Sequence, residues 1–145
     1  VADQFGSPTY TADLAQALSD FANCLTPGGK LILQNRNFDA VLANRSRWME
    51  PETYVEANRE WVFQRFYDFE TDGLIRFNIV TLTRQAGKDW QASLTATHLR
   101  PQTHHELTAA LAAAGFTNIH AYGSLSGDEF IPASSGNLVL TAVKA

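Results

Sequence analysis

The sequence has little cysteine and no excess of positive charge. Cys24 is the single cysteine among 145 residues, so no intrachain disulfide can form and a cysteine-rich zinc site is excluded. Eleven lysines and arginines face 15 aspartates and glutamates, which gives a formal net charge of -4. This balance leaves no basic face for a phosphate backbone and argues against nucleic-acid binding. Phe21 and Leu25 lie near Cys24 at helical spacing, so we expect a buried thiol.

Long apolar runs and glycine-rich loops are missing as well. No stretch approaches the roughly 20 apolar residues that span a bilayer, and the first residues lack the pattern of a secretory signal. We therefore expect no membrane segment and a cytoplasmic location. Gly28 and Gly29 follow a helical segment, where a helix stop is expected, so they do not form a nucleotide-binding loop.

What is present is typical of one folded domain covering residues 1–145. Hydrophobic residues make up 45% of the chain and charged residues 18%, which are ordinary globular values. Leu14, Leu18 and Phe21 recur at helical spacing, and Thr11 is a candidate N-cap for this first helix. Residues 30–34 form a nearly continuous apolar run, which predicts a strand covered on both faces.

The middle and end of the chain alternate between strand and helix signals. Residues 43–60 mix aromatic with charged residues and contain Pro51, which breaks a long helix, so they predict a mobile segment with a short helix. Residues 60–69, 74–84 and 90–100 predict three antiparallel strands, because they are rich in aromatic and β-branched residues and are separated by turn residues. Thr103 and Glu106 form a capping box at the start of a further helix, and Gly115 suits its end. Residues 117–122 and 138–144 predict two last strands.

Three motifs in this order carry a family resemblance. They are Leu-Thr-Pro-Gly-Gly-Lys-Leu-Ile-Leu at residues 25–33, Ala-Gly-Phe at residues 114–116, and Asn-Leu-Val-Leu-Thr-Ala-Val-Lys at residues 137–144. Over roughly residues 11–145 the chain resembles the C-terminal, acceptor-side part of class I S-adenosylmethionine-dependent methyltransferases. The resemblance implies an α/β fold: a partial Rossmann-like sheet, mixed parallel and antiparallel, with an antiparallel three-stranded insertion.

The resemblance also implies a function and a cofactor. It implies methyl transfer from S-adenosylmethionine to a small-molecule acceptor. The family's early Gly-x-Gly loop and the acidic residue for the ribose cannot be mapped onto this sequence, so activity of the chain by itself is not expected. A second polypeptide or a second copy of the chain would then complete the cofactor half.

The first residues depart from this family. Residues 1–15, with about three more, resemble a segment of dTDP-4-dehydrorhamnose reductases. This stretch has neither the Tyr-x-x-x-Lys pair nor the dinucleotide loop of those reductases, so a sugar-nucleotide reductase fragment is the least favoured alternative.

Two groups of residues are candidates for binding the acceptor. Asn35, Arg36 and Asn37 follow an apolar strand, and the carboxyl ends of parallel strands line the ligand crevice of open α/β sheets. The family resemblance adds residues from the antiparallel insertion that roofs the acceptor pocket, namely Arg65, Tyr67, Arg76, His98 and Arg100. An arginine there would hold an acceptor carboxylate with two hydrogen bonds.

Structural explanations compete with each of these assignments. Asn35 and Asn37 would equally close a turn through side-chain to backbone bonds. The insertion residues would form exposed cross-strand ion pairs. Trp48, Trp61 and Trp90 are expected in packing rather than in acceptor stacking.

A metal site and a non-catalytic role are two further alternatives to a methyltransferase. His104 and His105 diverge by about 100° on a helix, and no third ligand joins them, so we expect no metal site. The main alternative to a methyltransferase is a non-catalytic α/β module that forms a dimer through open sheet edges.

Overall fold

The computed structural model describes residues 8–145, with side chains from residue 12 onward. This part of the chain forms two compact units, one made of residues 8–45 and 101–145 and the other of residues 46–100. Residues 1–7, which begin the reductase-like stretch, lie outside the described part. No helix within residues 8–145 has the length and apolar character to cross a membrane.

The first unit combines helices with an antiparallel sheet. In chain order its elements are α1 (Pro8–Cys24), β1 (Lys30–Arg36), α2 (Phe38–Asn44), α3 (His104–Ala113), β6 (Phe116–Tyr122) and β7 (Asn137–Lys144). The strands lie in the order β1-β7-β6, and both pairings are antiparallel. The expected final antiparallel pair is therefore confirmed. The expected parallel pairing is absent from the described residues.

Strand β1 differs from its prediction because one of its two faces is exposed. Its residues alternate between exposed and half-buried, and the side chain of Ile32 is 62% exposed. An apolar run of this length does not distinguish a strand covered on both faces from one covered on a single face. The prediction that both faces of β1 are covered was wrong for the described part of the chain.

Helices α1 and α3 pack their apolar faces against the sheet around one core. The buried side chains of this core are Leu18, Ala22, Leu107, Leu111, Phe116, Leu138, Leu140 and Ala142. Helix α1 begins at Pro8, three residues before the predicted cap Thr11; proline fits a first turn because its missing N–H is not needed there. Cys24 is exposed, so its predicted burial was wrong: the buried stripe of α1 runs through Leu18 and Ala22 instead.

Helix α3 begins and ends as predicted. The Thr103 hydroxyl accepts from the Glu106 backbone N–H at 3.3 Å, and the Glu106 carboxylate accepts from the Thr103 N–H at 2.8 Å. Gly115 follows the helix with a φ of +87°, a left-handed conformation that costs glycine little.

The second unit is a four-stranded antiparallel sheet in the order β2-β3-β4-β5. Its strands are β2 (Glu52–Glu56), β3 (Arg59–Phe69), β4 (Ile75–Gln85) and β5 (Gln91–Leu99). The predicted three-stranded insertion is thus confirmed and gains one strand. Residues 43–60 were predicted wrongly, because the short helix α2 lies earlier and β2 is a strand. The rings of Tyr54 and Trp61, 5.4 Å apart, join β2 to β3, and single-sequence periodicity does not report such a cross-strand contact.

Candidate functional site

Asn37 lies directly after β1 and is 1% exposed. Its side-chain Nδ2 donates to the carbonyl oxygens of Pro132 at 2.9 Å and Ser135 at 2.8 Å. Its Oδ1 accepts from the Ala40 N–H at 3.4 Å and so caps helix α2. Both amide protons are therefore used within the protein, as the turn-closing explanation requires.

Asn35 and Arg36 occupy the last two positions of β1. Asn35 is half-buried and lies opposite Leu138 in the register, whereas Arg36 is exposed and lies opposite Asn137. Within the described residues neither side chain has a hydrogen bond. The amide of Asn35 is thus available to a polar ligand, in contrast to that of Asn37.

Asp39 ties the capped helix α2 to the start of α3. Its Oδ2 accepts from the backbone N–H of His104 at 2.8 Å, and the His104 ring meets Phe130 edge-on with centroids 5.2 Å apart. A carboxylate at a helix N-terminus is favoured because the first N–H groups have no partner inside the helix. The residues that follow β1 are consequently held by contacts with residues 104 and 130–136.

Arg65 and Tyr67 share one face of the second unit's sheet, as their spacing predicts. The Arg65 guanidinium pairs with Glu52 through a very short contact between Nη2 and Oε1. Its Nε is buried and lacks a hydrogen-bond partner among residues 8–145. Tyr67 is 5% exposed, and its ring centroid lies 5.5 Å from that of Phe77. This face therefore carries a partly exposed guanidinium and, two residues along the same strand, a buried phenol.

His98 lies on the opposite face of the same sheet. The register pairs it with Arg76, which lies opposite Asp68 in turn. Its Nε2 is 3.2 Å from Oε1 of Glu70. Arg100 follows the end of β5 and is half-buried. The structure therefore brings Arg65 to Tyr67 and His98 to Glu70, but it separates these two pairs by the thickness of the sheet.

The same face as His98 holds an ionic network that the sequence patterns did not reveal. Arg47 donates through Nη2 to Oδ1 of Asp68 at 2.7 Å and through Nε to the Tyr67 carbonyl at 3.2 Å. Oδ2 of Asp68 accepts from the buried Asn78 at 2.9 Å. The hydrogen bond from Arg47 is the main reason why the pKa of Asp68 lies below its ordinary value. The sequence gives no signal for this network, because Arg47 and Asp68 lie 21 residues apart.

The tryptophans of this unit pack on neighbouring side chains, as expected. Trp48 lies against Phe66 with centroids 5.0 Å apart, and Trp61 contacts Tyr54. Trp90 lies under the guanidinium of Arg84. None of these contacts requires an aromatic ligand.

The described residues do not offer the loop that would hold S-adenosylmethionine. The N–H of Gly28 donates to the Lys144 carbonyl and that of Gly29 to the Thr26 carbonyl, at 2.9 and 2.8 Å. These amides close the turn after α1, so they are not free to bind a nucleotide. Across residues 8–145, no three histidine, cysteine, aspartate or glutamate side chains converge as metal ligands.

Comparisons with known proteins identify solved structures that share this fold. No protein-family model and no curated protein matches the sequence. The structure of Streptomyces venezuelae DesVI superposes with a TM-score of 0.72 and 20% identity, covering 100% of this chain and 56% of that one. A methyltransferase from Clostridium acetobutylicum, dependent on S-adenosylmethionine, gives 0.67 at 15% identity, covering 93% and 52%.

A third solved structure is CalS10, an amino pentose methyltransferase from Micromonospora echinaspora with S-adenosylmethionine bound. It gives a TM-score of 0.61 at 20% identity, covering 90% of this chain and 51% of that one. The chain thus spans about half the length of the solved structures it matches. Its fold is that of the matching half of S-adenosylmethionine-dependent methyltransferases.

Proposed function

We propose that this chain is the acceptor-side part of an S-adenosylmethionine-dependent methyltransferase that acts on a small molecule. The observation that carries the proposal is the superposition on two solved methyltransferases over at least nine-tenths of the chain. The chain forms, on this proposal, one methyltransferase-like domain together with a cofactor-binding part. Because β1 pairs on one side only within residues 8–145, the parallel strands of a Rossmann-like sheet would have to come from other residues.

S-Adenosylmethionine supplies an electrophilic methyl group, and this chain's contribution is to bind and orient the acceptor. Orientation is a large part of such catalysis, since holding two reactants in line replaces a bimolecular encounter. Arg65 and Tyr67 support this role best, because they share one face of the sheet and the Arg65 side chain is partly exposed. An anionic group of the methyl acceptor would compete with the exposed Glu52 carboxylate for the Arg65 guanidinium. Asn35, His98 and Arg100 stay predicted contacts of the methyl acceptor. Asn37 stays a predicted residue of the site, with the role of positioning the residues after β1.

Substitution of Arg65 by lysine tests the acceptor assignment. Lysine keeps the positive charge but loses the planar fork that binds an oxyanion through two bonds. In the complete product of the gene, Arg65→Lys should raise the KM for the acceptor while the affinity for S-adenosylhomocysteine stays unchanged. Glu50→Gln, which alters an exposed residue of the same unit, is the control. Unchanged acceptor kinetics in Arg65→Lys would remove this residue from the site.

Self-association is a second candidate role, and the exposed apolar residues of the second sheet favour it. On the His98 face the register aligns Val62 with Leu82 and Val80 with Leu94. The Leu94 side chain is 62% exposed, and β5 is an edge strand in the described sheet. A second copy packed on this face would remove that surface from water and form a dimer with two-fold symmetry.

A further inference from the structure

The loop between β6 and β7 leaves the sheet at the same end as the residues that follow β1. Strand β7 pairs antiparallel with both β1 and β6, so β1 and β6 run in the same direction and their carboxyl ends lie at one end of the sheet. In open α/β sheets the ligand crevice lies outside the carboxyl ends of the strands. The loop therefore lies at the end of the sheet where Asn35 is a predicted contact of the methyl acceptor.

Hydrogen bonds from Asn37 hold the second half of this loop beside the end of β1. The Asn37 side chain donates to the Pro132 carbonyl at 2.9 Å, and its backbone N–H donates to the Gly136 carbonyl at 3.2 Å. Ile131 directly precedes Pro132 in the chain. The position of Ile131 is thus tied to the residue that directly follows β1.

The backbone of Ile131 is fixed by a turn, whereas its side chain lies at the surface. Its N–H donates to the Ser135 hydroxyl at 2.9 Å, and its carbonyl accepts from the Ser134 N–H at 3.0 Å. The preceding side chain, Phe130, packs against the buried core and edge-on against His104. The Ile131 side chain is 50% exposed. A β-branched side chain on a fixed backbone loses little freedom when a ligand covers it, and the covered apolar area favours binding.

We propose that Ile131 forms an apolar wall of the acceptor site and selects methyl acceptors that carry an apolar carbon skeleton. This role rests on the proposed methyl transfer and extends it, because none of the acceptor contacts predicted from the sequence is an aliphatic residue. A polar side chain such as the Asn35 amide would bind the polar group of the acceptor, while its carbon skeleton covers Ile131. Removal of such an apolar contact typically lowers kcat/KM for a matching substrate by about tenfold or more.

Leu125 is a matched control in the same loop. Its side chain is also apolar and is 68% exposed. It lies at the tip of a turn that the Gly127 N–H closes by donating to the Ser124 carbonyl at 3.2 Å. The position of Leu125 is therefore set by this turn and not by the bonds from Asn37.

Kinetics with acceptors of increasing size test the proposal in the complete product of the gene. The probes are primary amines and alcohols with ethyl, isobutyl and cyclohexyl skeletons, and a labelled methyl group reports the transfer. For the wild type we expect kcat/KM to rise from the ethyl probes to the two larger kinds. Ile131→Ser should lower kcat/KM for the larger probes by at least about tenfold. It should leave kcat/KM for the ethyl probes and the affinity for S-adenosylhomocysteine unchanged.

Ile131→Val keeps an apolar wall and should lower kcat/KM for the larger probes less than Ile131→Ser does. Leu125→Ser should leave all kinetic constants unchanged, and thermal melts of the three variants should coincide with that of the wild type. Equal losses for ethyl and larger probes, an equal effect of Leu125→Ser, or weaker binding of S-adenosylhomocysteine by Ile131→Ser would overturn the role of Ile131 alone.

The wild type separates this role from the proposed function. A gene product that binds S-adenosylhomocysteine but does not transfer the label faster to the larger probes would also overturn only the role of Ile131. A folded gene product that neither binds S-adenosylhomocysteine nor transfers the label to any probe would overturn the proposed methyl transfer, and the role of Ile131 with it.

Discussion

The side-chain amide of Asn37 donates a 2.9 Å hydrogen bond to the carbonyl oxygen of Pro132, 95 residues further along the chain. With the second bond to Ser135 and the cap on α2, this single amide joins the end of β1 to the residues that precede β7. The contact orders the residues after β1, although it uses the donors that a ligand would need.

Replacement of Asn37 by alanine should destabilise the protein strongly. The change removes two hydrogen bonds from the buried Asn37 side chain to backbone carbonyl groups and also removes a helix cap, so we expect a loss of about 2–4 kcal/mol in the free energy of unfolding. Urea denaturation measures this loss. Asn35→Ala removes the same amide two residues earlier, where it has no bond in the described chain, and should cost less than about 1 kcal/mol. Equal losses would contradict the role assigned to Asn37.

Because of Asp68, the free energy of unfolding should depend on pH in the acid range. Its pKa is lowered in the folded protein, mainly by the hydrogen bond from Arg47. A lowered folded pKa gives stabilisation that is complete above the unfolded pKa and is lost as pH falls through the folded value. The free energy of unfolding should therefore fall more steeply below about pH 4 in the wild type than in Asp68→Asn.

The two unfolding curves should approach each other as pH decreases, since the protonated aspartate and asparagine are both neutral. Parallel curves for the wild type and Asp68→Asn from pH 7 to pH 3 would refute the effect of the Arg47 bond.

The capping box of α3 should stabilise the protein more than a hydroxyl inside the same helix does. Thr103→Ala removes the acceptor of the Glu106 N–H and should cost about 1 kcal/mol. The Thr108 hydroxyl is buried and has no partner within the described residues, so Thr108→Ala should change stability by less than about 0.5 kcal/mol, or raise it. Thermal unfolding of the two variants checks the order. The reverse order would show that the Thr108 hydroxyl has an acceptor after all.

Association through the exposed sheet face predicts a specific effect of charge. Leu94→Lys places an ammonium on the apolar face and should shift a dimer toward monomer in light scattering at about 100 μM protein. Thr95→Lys adds the same charge at the next residue, which points to the other face of the strand, and should weaken association less. A wild-type mass equal to one chain at this concentration would exclude the dimer.

Local signals predicted the elements whose contacts lie close in sequence. The Thr103 and Glu106 pair defined the start of α3, and the turn residues between the strand segments separated β3 from β4 and β4 from β5. Strand β2 was not predicted, because the contact that stabilises it joins Tyr54 to Trp61 on the next strand. The exposure of Ile32 was not predicted either, because an apolar run does not tell whether one face or both faces of a strand are covered.

The candidate site was only partly predictable for the same reason. Spacing placed Arg65 beside Tyr67 correctly, since a strand alternates its side chains. It did not reveal that His98 lies on the opposite face, because the faces of β3 and β5 are related only through the register of β4 between them. The Arg47 contact with Asp68 spans 21 residues and has no periodic signature.

Binding of S-adenosylhomocysteine, with transfer of a labelled methyl group, tests the central claim most directly. Calorimetry and the transfer assay are run on the complete product of the gene and on the 145-residue chain, with a panel of small amines and alcohols as acceptors. The account predicts that the gene product binds S-adenosylhomocysteine and methylates a small acceptor, with weaker binding by the 145 residues alone because residues 8–145 offer no free nucleotide loop. A folded gene product that neither binds S-adenosylhomocysteine at millimolar concentration nor transfers the label would contradict it.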